Sequence, residues 1–286
     1  MKALNAPHDA NGDEVHPGVK WLSIRSDNND KWAQPDGVWL GAKGTPTNIT
    51  FASPDLKGAT NLVLPTRDHR EVAFHREAFA AAYRFITGRE PATLDIAPEP
   101  RIVLDGLVSG PGPGAPTNVP LVGALIEVYA VDPASGTRHG VARHRKTIGA
   151  DGRWGPFAAE AQTAYEFVVS ASGVATTHVY RSPFPRSSPV VHLRAERPVA
   201  EADKATASLL TFTRPRGYFG LPRDDIRFDG KRPPGVPDGV AGVSSSTVKL
   251  ADGVGRTVQA QFNGTTLAAV AWPAAENHVV LLELHE

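Results

Sequence analysis

The sequence predicts a mixed fold, in which a short segment with two strands and one helix precedes mainly antiparallel β-sandwich modules. Residues 71–87 repeat apolar side chains at spacings of three, four and seven, which is the pattern of an amphipathic helix. Residues 101–286 contain short alternating or β-branched runs between turn clusters, which is the pattern of a β-sandwich. The Pro-rich stretch 88–100 lacks apolar periodicity and indicates a linker between the two patterns.

The composition excludes several functional classes. The 30 basic residues of the 286-residue chain cancel its 30 acidic residues, so charge favours neither a nucleic-acid partner nor an anionic membrane. The absence of cysteine excludes disulfides, thiolate nucleophiles and Cys-bound zinc. No apolar run approaches the roughly 18 residues of a membrane span, and the first residues lack the apolar core of a signal peptide. Carboxylate, imidazole and hydroxyl groups are left for chemistry.

The first segment has the order of elements of an α/β unit. Two short apolar runs, WLSIRS at residues 21–26 and TNLVLP at residues 60–65, predict buried strands separated by a long polar loop. The helix over 71–87 follows the second strand, and Gly88 is placed to end it as a C-cap. Strand, loop, strand and helix in this order are typical of α/β proteins.

An acidic loop and a histidine follow these two strands. Asp27, Asp30 and Asp36 lie in the loop after the first strand, and His69 lies between the second strand and the helix. In a catalytic triad a buried carboxylate orients an imidazole, which removes the proton from a serine hydroxyl. In the α/β-hydrolase arrangement the acid and the histidine come after late strands, in the chain order Ser, acid, His. The order found here therefore matches the last third of such an enzyme.

The acidic loop resembles a lipase pattern. In the stretch SDNNDKWAQP, residues 26–35, a proline follows Asp30 by five residues, and this is similar to the surroundings of the catalytic acid in bacterial triacylglycerol lipases. The resemblance implies that Asp30, rather than Asp27 or Asp36, is the catalytic acid. It also implies that His69, after the short apolar strand and its turn, is the catalytic base.

The resemblance implies a function for the first segment. Residues 1–97 look like the C-terminal portion of an α/β-hydrolase-fold lipase or esterase, which hydrolyses carboxylic esters with a Ser-His-Asp triad. The implied substrate is a lipid or another ester, and no cofactor is implied. Members of this family are extracellular or periplasmic, although this sequence shows no signal peptide.

The serine of such a triad has no counterpart in this sequence. The nucleophile elbow GxSxG is absent, and the stretch GVSSS at residues 242–246 has no closing glycine. No HGGG-type stretch offers an oxyanion hole, and two strands are fewer than an α/β-hydrolase sheet needs. We therefore expect that the Ser-bearing part is missing from this chain, that the chain has little activity alone, and that an N-terminal hydrolase half is its partner.

Other interpretations of the same residues stay open. Residues 27–30 are also typical of a turn, because Asp and Asn side chains hydrogen-bond their own backbone there. His69 could be a surface histidine beside Asp68, and His75 a solvated helix residue. A metal site would use Asp68, His69 and His75, but two histidines six positions apart do not share one helix face as those of HExxH do.

Two β modules are predicted after the linker, at residues 98–198 and 199–286. The first resembles the transthyretin-like or carboxypeptidase-regulatory-like sandwich in the runs GALIEVYAVDPASG, TIGADGRWG and YEFVVSASG. The second is similar, in NGTTLAAVAWPA and the terminal VVLLEL, to β modules behind the catalytic domain of some bacterial lipases. In the first module Trp154, Phe157 and Tyr165 are predicted to pack in the core rather than to form a ligand platform.

The sequence thus leaves two functions. The first is part of a carboxylic-ester hydrolase, with Asp30 and His69 in the triad. The alternative is a non-catalytic β-sandwich protein that binds a substrate or acts as an adaptor, in which the hydrolase-like segment is vestigial.

Overall fold

The computed structural model describes residues 6–34, 55–114 and 116–284, and these residues are mostly β with few helices. They divide into two compact units. The first unit contains the residues up to Asp95 together with Arg216–Arg223 and Pro237–Val243, and the second contains Ile96–Pro215, Asp224–Val236 and the residues from Ser244 on. The first break along the chain therefore lies within the Pro-rich linker.

The first unit is built on two parallel strands, β1 (Leu22–Ser26) and β2 (Thr60–Leu64). Their register pairs Leu22 with Thr60 and Ser26 with Leu64. Because parallel strands end at the same edge of a sheet, the loops that follow β1 and β2 begin side by side. The acidic loop and His69 follow these two strand ends.

The predicted helix over 71–87 is interrupted at His75. The structure has α1 (Glu71–Phe74) and α2 (Arg76–Thr87), with extended backbone at His75, where φ is −73° and ψ is 146°. The His75 ring accepts a hydrogen bond from the amide of Glu77 at 3.3 Å, and such side-chain capping competes with a continuous helix. Gly88 ends α2 in the left-handed conformation, with φ 69°, as predicted.

The second unit contains the remaining strands. In chain order they are β3 (Ile102–Leu104), β4 (Val108–Pro111), β5 (Pro116–Pro120), β6 (Leu125–Val131), β7 (His144–Thr147), β8 (Phe157–Ala159), β9 (Ala164–Ser170), β10 (Thr176–Arg181), β11 (Leu193–Arg194), β12 (Ser208–Thr213), β13 (Ile226–Phe228), β14 (Ser245–Leu250), β15 (Thr257–Phe262), β16 (Thr265–Val270) and β17 (His278–Glu283). Short 3-10 turns lie at Lys31–Ala33 in the first unit and at Glu201–Asp203 and Ala274–Glu276 in the second.

Among the described residues, a large sheet joins seven strands in the order β14-β12-β17-β10-β9-β6-β7. The pairs β10–β17 and β12–β17 are parallel, whereas the other neighbours are antiparallel, so this sheet is mixed rather than purely antiparallel. Thr176 pairs with His278 at one end of the β10–β17 ladder, and Arg181 with Glu283 at the other. Strands from both predicted β modules therefore share one sheet, and the predicted boundary at residue 198 does not coincide with a break in it.

The main core of the second unit lies between the large sheet and the strands β3, β4, β8 and β11. Alternate residues of β6 and β9 point into it, among them Ile126, Val128 and Phe167, which are fully buried. Trp154, Phe157 and Tyr165 are also buried in this core, as predicted. Within the described part of the chain, no helix has both the length and the apolar character to span a membrane.

Candidate active site

Asp30 lies in the loop after β1, and its side chain is held by a backbone amide of the same loop. Its Oδ1 accepts a hydrogen bond from the amide of Trp32 at 2.8 Å, which caps the 3-10 turn Lys31–Ala33. This contact fixes the orientation of the carboxylate. Its other oxygen, Oδ2, is the one that contacts His69.

The structure brings Asp30 and His69 together. His69 Nδ1 lies 2.9 Å from Asp30 Oδ2, across 39 residues of sequence. Because a carboxylate only accepts hydrogen bonds, Nδ1 carries the proton, and Nε2 is the ring nitrogen that can accept one. The side chain of His69 is 50% exposed and that of Asp30 19% exposed. The pair therefore combines an oriented acid with an accessible base.

Trp32 packs beside this pair. Its ring meets the imidazole of His69 edge to face, with centroids 6.4 Å apart and an interplanar angle of 79°. Such aromatic contacts restrict ring orientation. The sequence prediction did not include Trp32, although its position two residues after Asp30 is the signal that could have found it.

Asp27 ties the acidic loop to the end of β2. Its Oδ2 accepts from the amide of Thr66 at 2.8 Å, and its Oδ1 accepts from the amide of Asn29 at 3.0 Å. Burial opposes the charged form of Asp27, but the hydrogen bonds from Thr66 and Asn29 lower its pKa overall. Asp27 thus has the turn role that the alternative interpretation gave it, whereas Asp36 lies outside the described residues.

Asp68, directly before His69, is buried rather than on the surface. Its side chain is 0% exposed, and its Oδ1 accepts from the amides of Arg70 and Glu71 at 2.9 and 3.0 Å. Glu71 Oε2 in return accepts from the amide of Asp68 at 2.7 Å. These reciprocal bonds have the pattern of a capping box, and Asp68 and Glu71 lie on either side of His69 in the sequence. The spacing D-x-x-E before a helical run is the sequence signal for this arrangement, and the sequence prediction missed it.

Residues far along the chain complete the surroundings of Asp68. Its Oδ2 accepts from the amide of Tyr218 at 2.7 Å and from Arg223 Nη1 at 3.3 Å. Arg223 Nη1 also donates to Glu71 Oε2 at 2.9 Å. Burial, and then the neighbouring Glu71 carboxylate, raise the pKa of Asp68 against the hydrogen bonds from these amides.

The Tyr218 ring lies close to two cations. Lys31 Nζ is 4.1 Å and the Arg70 guanidinium 4.7 Å from its centroid, which is the range of cation–π contacts. Lys31 Nζ also donates to the carbonyl oxygen of Gly242 at 2.9 Å. Burial, followed by repulsion from Arg70, lowers the pKa of Lys31. Lys31 follows Asp30 and Arg70 follows His69, so these contacts lie next to both members of the pair.

In the alternative interpretation, Asp68, His69 and His75 would bind a metal ion, but Asp68 and His75 form other hydrogen bonds in the structure. Asp68 binds backbone amides and Arg223, and His75 caps α2. Over residues 6–34, 55–114 and 116–284, no group of three or more His, Asp or Glu side chains is arranged to hold a metal ion.

The stretch GVSSS does not form a nucleophile elbow. Ser244 lies in a bend directly before β14, and Ser245 and Ser246 begin that strand, so no helix follows them as it does in an elbow. The hydroxyl of Ser246 is used inside the second unit, where it donates to the carbonyl oxygen of Pro234 at 2.7 Å.

Comparison with known families relates the chain to lipases through its second unit. Residues 101–198 match the family model of the lipase C-terminal domain. The match covers all of the described strands from β3 to β11, and it ends before β12. It therefore lies in the segment in which the sequence resembles a transthyretin-like sandwich. The predicted lipase-type module at 199–286 lies outside the match and stays a prediction.

Other comparisons add no functional information. A search of the curated proteins gives no match. A fimbrial protein from Bacteroides ovatus ATCC 8483 is similar at 8% identity and a TM-score of 0.20, over 65% of this chain and 51% of that chain. This chain thus spans about half the length of that protein.

Proposed function

We propose that the chain is part of a carboxylic-ester hydrolase of the lipase or esterase type, in which Asp30 and His69 are the acid and base of a Ser-His-Asp triad. The contact of 2.9 Å between His69 Nδ1 and Asp30 Oδ2 carries this proposal. Its position after the ends of the parallel strands β1 and β2 supports it. So does the lipase C-terminal domain match at residues 101–198.

In the proposed reaction His69 acts first as base and then as acid. Its Nε2 takes the proton of a serine hydroxyl as the oxygen attacks the ester carbonyl, and it then gives this proton to the leaving alcohol. Water releases the acyl group by the same two proton transfers. Asp30 keeps the proton on Nδ1 and stabilises the imidazolium that forms.

The sequence contains no GxSxG elbow that could supply the nucleophile of this reaction. The proposed mechanism needs a serine on a strand-to-helix turn, supplied by another polypeptide segment. The substrate class is a lipid or another carboxylic ester.

The proposal is tested by supplying the serine. The open reading frame directly upstream is expressed together with this chain, and hydrolysis of p-nitrophenyl butyrate is measured. We expect activity that falls by about 10⁴-fold in the His69→Ala and Asp30→Asn variants, because triad members act as a unit. The His75→Ala variant is the matched control and keeps its activity. Equal activity with and without His69 would refute the triad.

A second candidate function is non-catalytic binding of a lipid or polymer surface. The observation that favours it is the position of the lipase C-terminal domain match, which lies wholly in the second unit and excludes Asp30 and His69. The test is co-sedimentation of the full chain with lipid vesicles or polymer particles. Binding that is unchanged in the His69→Ala variant, without ester hydrolysis in the complemented system, would favour this function over the first.

A further inference from the structure

Two segments from the C-terminal third of the chain belong to the first unit, and we call them the clamp segments: residues 216–223 and 237–243. They are joined to each other by backbone hydrogen bonds. The amide of Phe219 donates to the carbonyl oxygen of Val243 at 2.6 Å, and the amide of Leu221 to that of Pro237 at 2.9 Å. The clamp segments therefore form one small structural element.

A glycine allows the two clamp segments to approach closely. A Cβ on Gly220 would lie 2.5 Å from the Cα of Ala241 and 2.8 Å from its amide nitrogen. Real Cβ atoms do not approach backbone this closely, so only glycine fits here. This packing defines the geometry of the element.

The first clamp segment contacts both sides of His69. Tyr218 donates its amide proton to Asp68 Oδ2 at 2.7 Å, on the residue before His69. Its ring lies against Arg70, on the residue after. Arg223 binds both Asp68 and Glu71, the two acids on either side of His69. Its Nη1 lies 3.3 Å from Asp68 Oδ2 and 2.9 Å from Glu71 Oε2.

Arg223 also forms a hydrogen bond within the first clamp segment. Its Nη2 donates to the carbonyl oxygen of Tyr218 at 2.6 Å. One guanidinium thus joins the backbone of Tyr218 to the carboxylates of Asp68 and Glu71. The planar, multidentate guanidinium suits this geometry, which the single ammonium group of lysine does not reproduce.

The second clamp segment contacts the residue that follows Asp30. Lys31 Nζ donates to the carbonyl oxygen of Gly242 at 2.9 Å. The same ammonium lies over the ring of Tyr218. The clamp segments are therefore anchored beside both members of the Asp30–His69 pair.

We propose that the clamp segments position the pair, and that Arg223 is the main positioning residue for His69. A histidine that is half exposed and hydrogen-bonded to one carboxylate is weakly constrained on its own, since a single hydrogen bond contributes little net free energy. Catalysis needs an orientation held by surrounding contacts. This role is meaningful for catalysis only if the proposed function holds, but the geometry that it predicts can be measured without ester hydrolysis.

The test measures the tautomer of His69 in the full chain. Long-range 1H–15N NMR spectra report which ring nitrogen carries the proton, and a His69→Gln variant assigns the signal among the 10 histidines. We expect Nδ1-protonated His69 in the unchanged protein. In Arg223→Gln the ratio of the Nδ1- to the Nε2-protonated form falls by about tenfold, the factor that corresponds to about 1.4 kcal/mol. Arg223→Lys gives a smaller fall.

The matched control is Arg227→Gln. Arg227 is an exposed arginine on β13, 3.9 Å from Asp225 and outside the clamp segments. This variant keeps the tautomer of the unchanged protein. Circular dichroism and the signals of the other histidines show whether each variant is folded, which separates positioning from general destabilisation.

A second variant keeps the proposal testable if Arg223→Gln does not fold. Lys31→Met removes the hydrogen bond to Gly242 and leaves the contacts of Asp68 in place. We expect a shift of the His69 tautomer in the same direction. The proposal is overturned if Arg223→Gln folds and keeps the tautomer of the unchanged protein. If Arg223→Gln does not fold, the proposal is overturned when folded Lys31→Met keeps that tautomer. If the tautomer shifts but the complemented chain hydrolyses no ester, the positioning role of the clamp segments is supported and the proposed function is refuted.

Discussion

His178 Nε2 lies 2.7 Å from His278 Nδ1 and joins the parallel strands β10 and β17 inside the second unit. The other ring nitrogen of His178 lies 2.6 Å from Glu166 Oε1, and Glu166 is fully buried. The carboxylate accepts the Nδ1 proton of His178, which leaves Nε2 to accept the Nδ1 proton of His278. The ring of Trp272 stacks on that of His178, with centroids 4.2 Å apart.

This arrangement predicts that acid weakens the β10–β17 junction. Burial lowers the pKa of His178, although Glu166 opposes the shift, and burial also lowers the pKa of His278. A group whose folded pKa lies below its unfolded value stabilises the fold above the unfolded pKa, here 6.5, and loses this contribution as the pH falls through the folded pKa. If both rings are protonated, two N–H groups face each other across 2.7 Å.

The measurement is hydrogen exchange of the β17 amides between pH 7.5 and pH 5, corrected for the intrinsic rate. We expect the free energy of opening to fall below about pH 6.5. The fall is smaller in His278→Gln, which removes one titrating ring. Glu166 acts in a lower window, because its pKa is lowered from 4.5 and its contribution is lost only in more acidic solution. An opening free energy that does not change with pH would contradict the prediction.

Arg138 is predicted to be the most costly charged residue of this cluster to remove. Its Nε and Nη2 contact Glu166 Oε2 and Oε1 at 2.5 and 3.1 Å, and its guanidinium lies 3.8 Å from the ring of Tyr129. Arg138→Gln removes the charged partner of a buried carboxylate and leaves its hydrogen bond with the neutral ring of His178. We expect the free energy of unfolding to fall by about 3 kcal/mol.

Urea unfolding of Arg138→Gln is compared with that of Arg145→Gln. Arg145 is 66% exposed and lies 3.7 Å from Glu127, so its removal is expected to cost less than about 0.5 kcal/mol. Equal losses of unfolding free energy in the two variants would show that the buried Arg138–Glu166 pair stabilises the fold no more than the exposed Arg145–Glu127 pair.

Gly106 is predicted to be irreplaceable in the sandwich core. A Cβ at this position would lie 2.0 Å from the carbonyl oxygen of Val191 and 3.0 Å from Trp154 Nε1. That carbonyl oxygen accepts the indole hydrogen bond of Trp154 at 2.7 Å. Gly106→Ala therefore separates buried partners, and we expect a loss of at least about 2 kcal/mol of unfolding free energy.

The control for this prediction is Gly149→Ala. A Cβ on Gly149 meets nothing closer than Asp151 Oδ1 at 3.5 Å, so the melting temperature is expected to stay within a few degrees of that of the unchanged protein. A stable, unchanged Gly106→Ala variant would mean that the Val191 backbone moves at little cost.

The local parts of the candidate site could be predicted from the sequence. Apolar runs predict β1 and β2, and the chain order of an acidic loop and a histidine after two strands, together with the resemblance to lipases, is why Asp30 and His69 were expected to act together. The interruption at His75 was not predicted, because a capping side chain leaves the apolar spacing of the helix unchanged.

The long-range parts could not be predicted in this way. Arg223 is separated from Asp68 by 155 residues, and no periodic pattern indicates that an arginine in a turn-rich stretch will meet a buried aspartate. The parallel pairing of β10 with β17 is likewise set by packing between distant segments. Strand patterns predict that a strand exists and which face is apolar, but they do not select its neighbour.

The first unit is predicted to be cleaved before the second by proteases. Phe79 and Ile86, on the apolar face that the sequence predicts for the helix, are 54% and 79% exposed, and Phe74 of α1 is 60% exposed. Few buried apolar contacts give a low free energy of local opening. The large sheet and its core protect the second unit more strongly.

Limited digestion of the full chain with thermolysin, followed by mass spectrometry, tests this order of cleavage. We expect the earliest cuts within residues 55–95 and a longer-lived fragment that begins near residue 100, since cleavage follows the population of opened states. The clamp segments make the outcome specific: Arg223→Gln should speed the cuts in residues 55–95, because Asp68 and Glu71 lose a shared partner. Arg227→Gln should not. Cleavage at equal rates in both units would show that the contacts around Asp68 protect the first unit as well as the sandwich core protects the second.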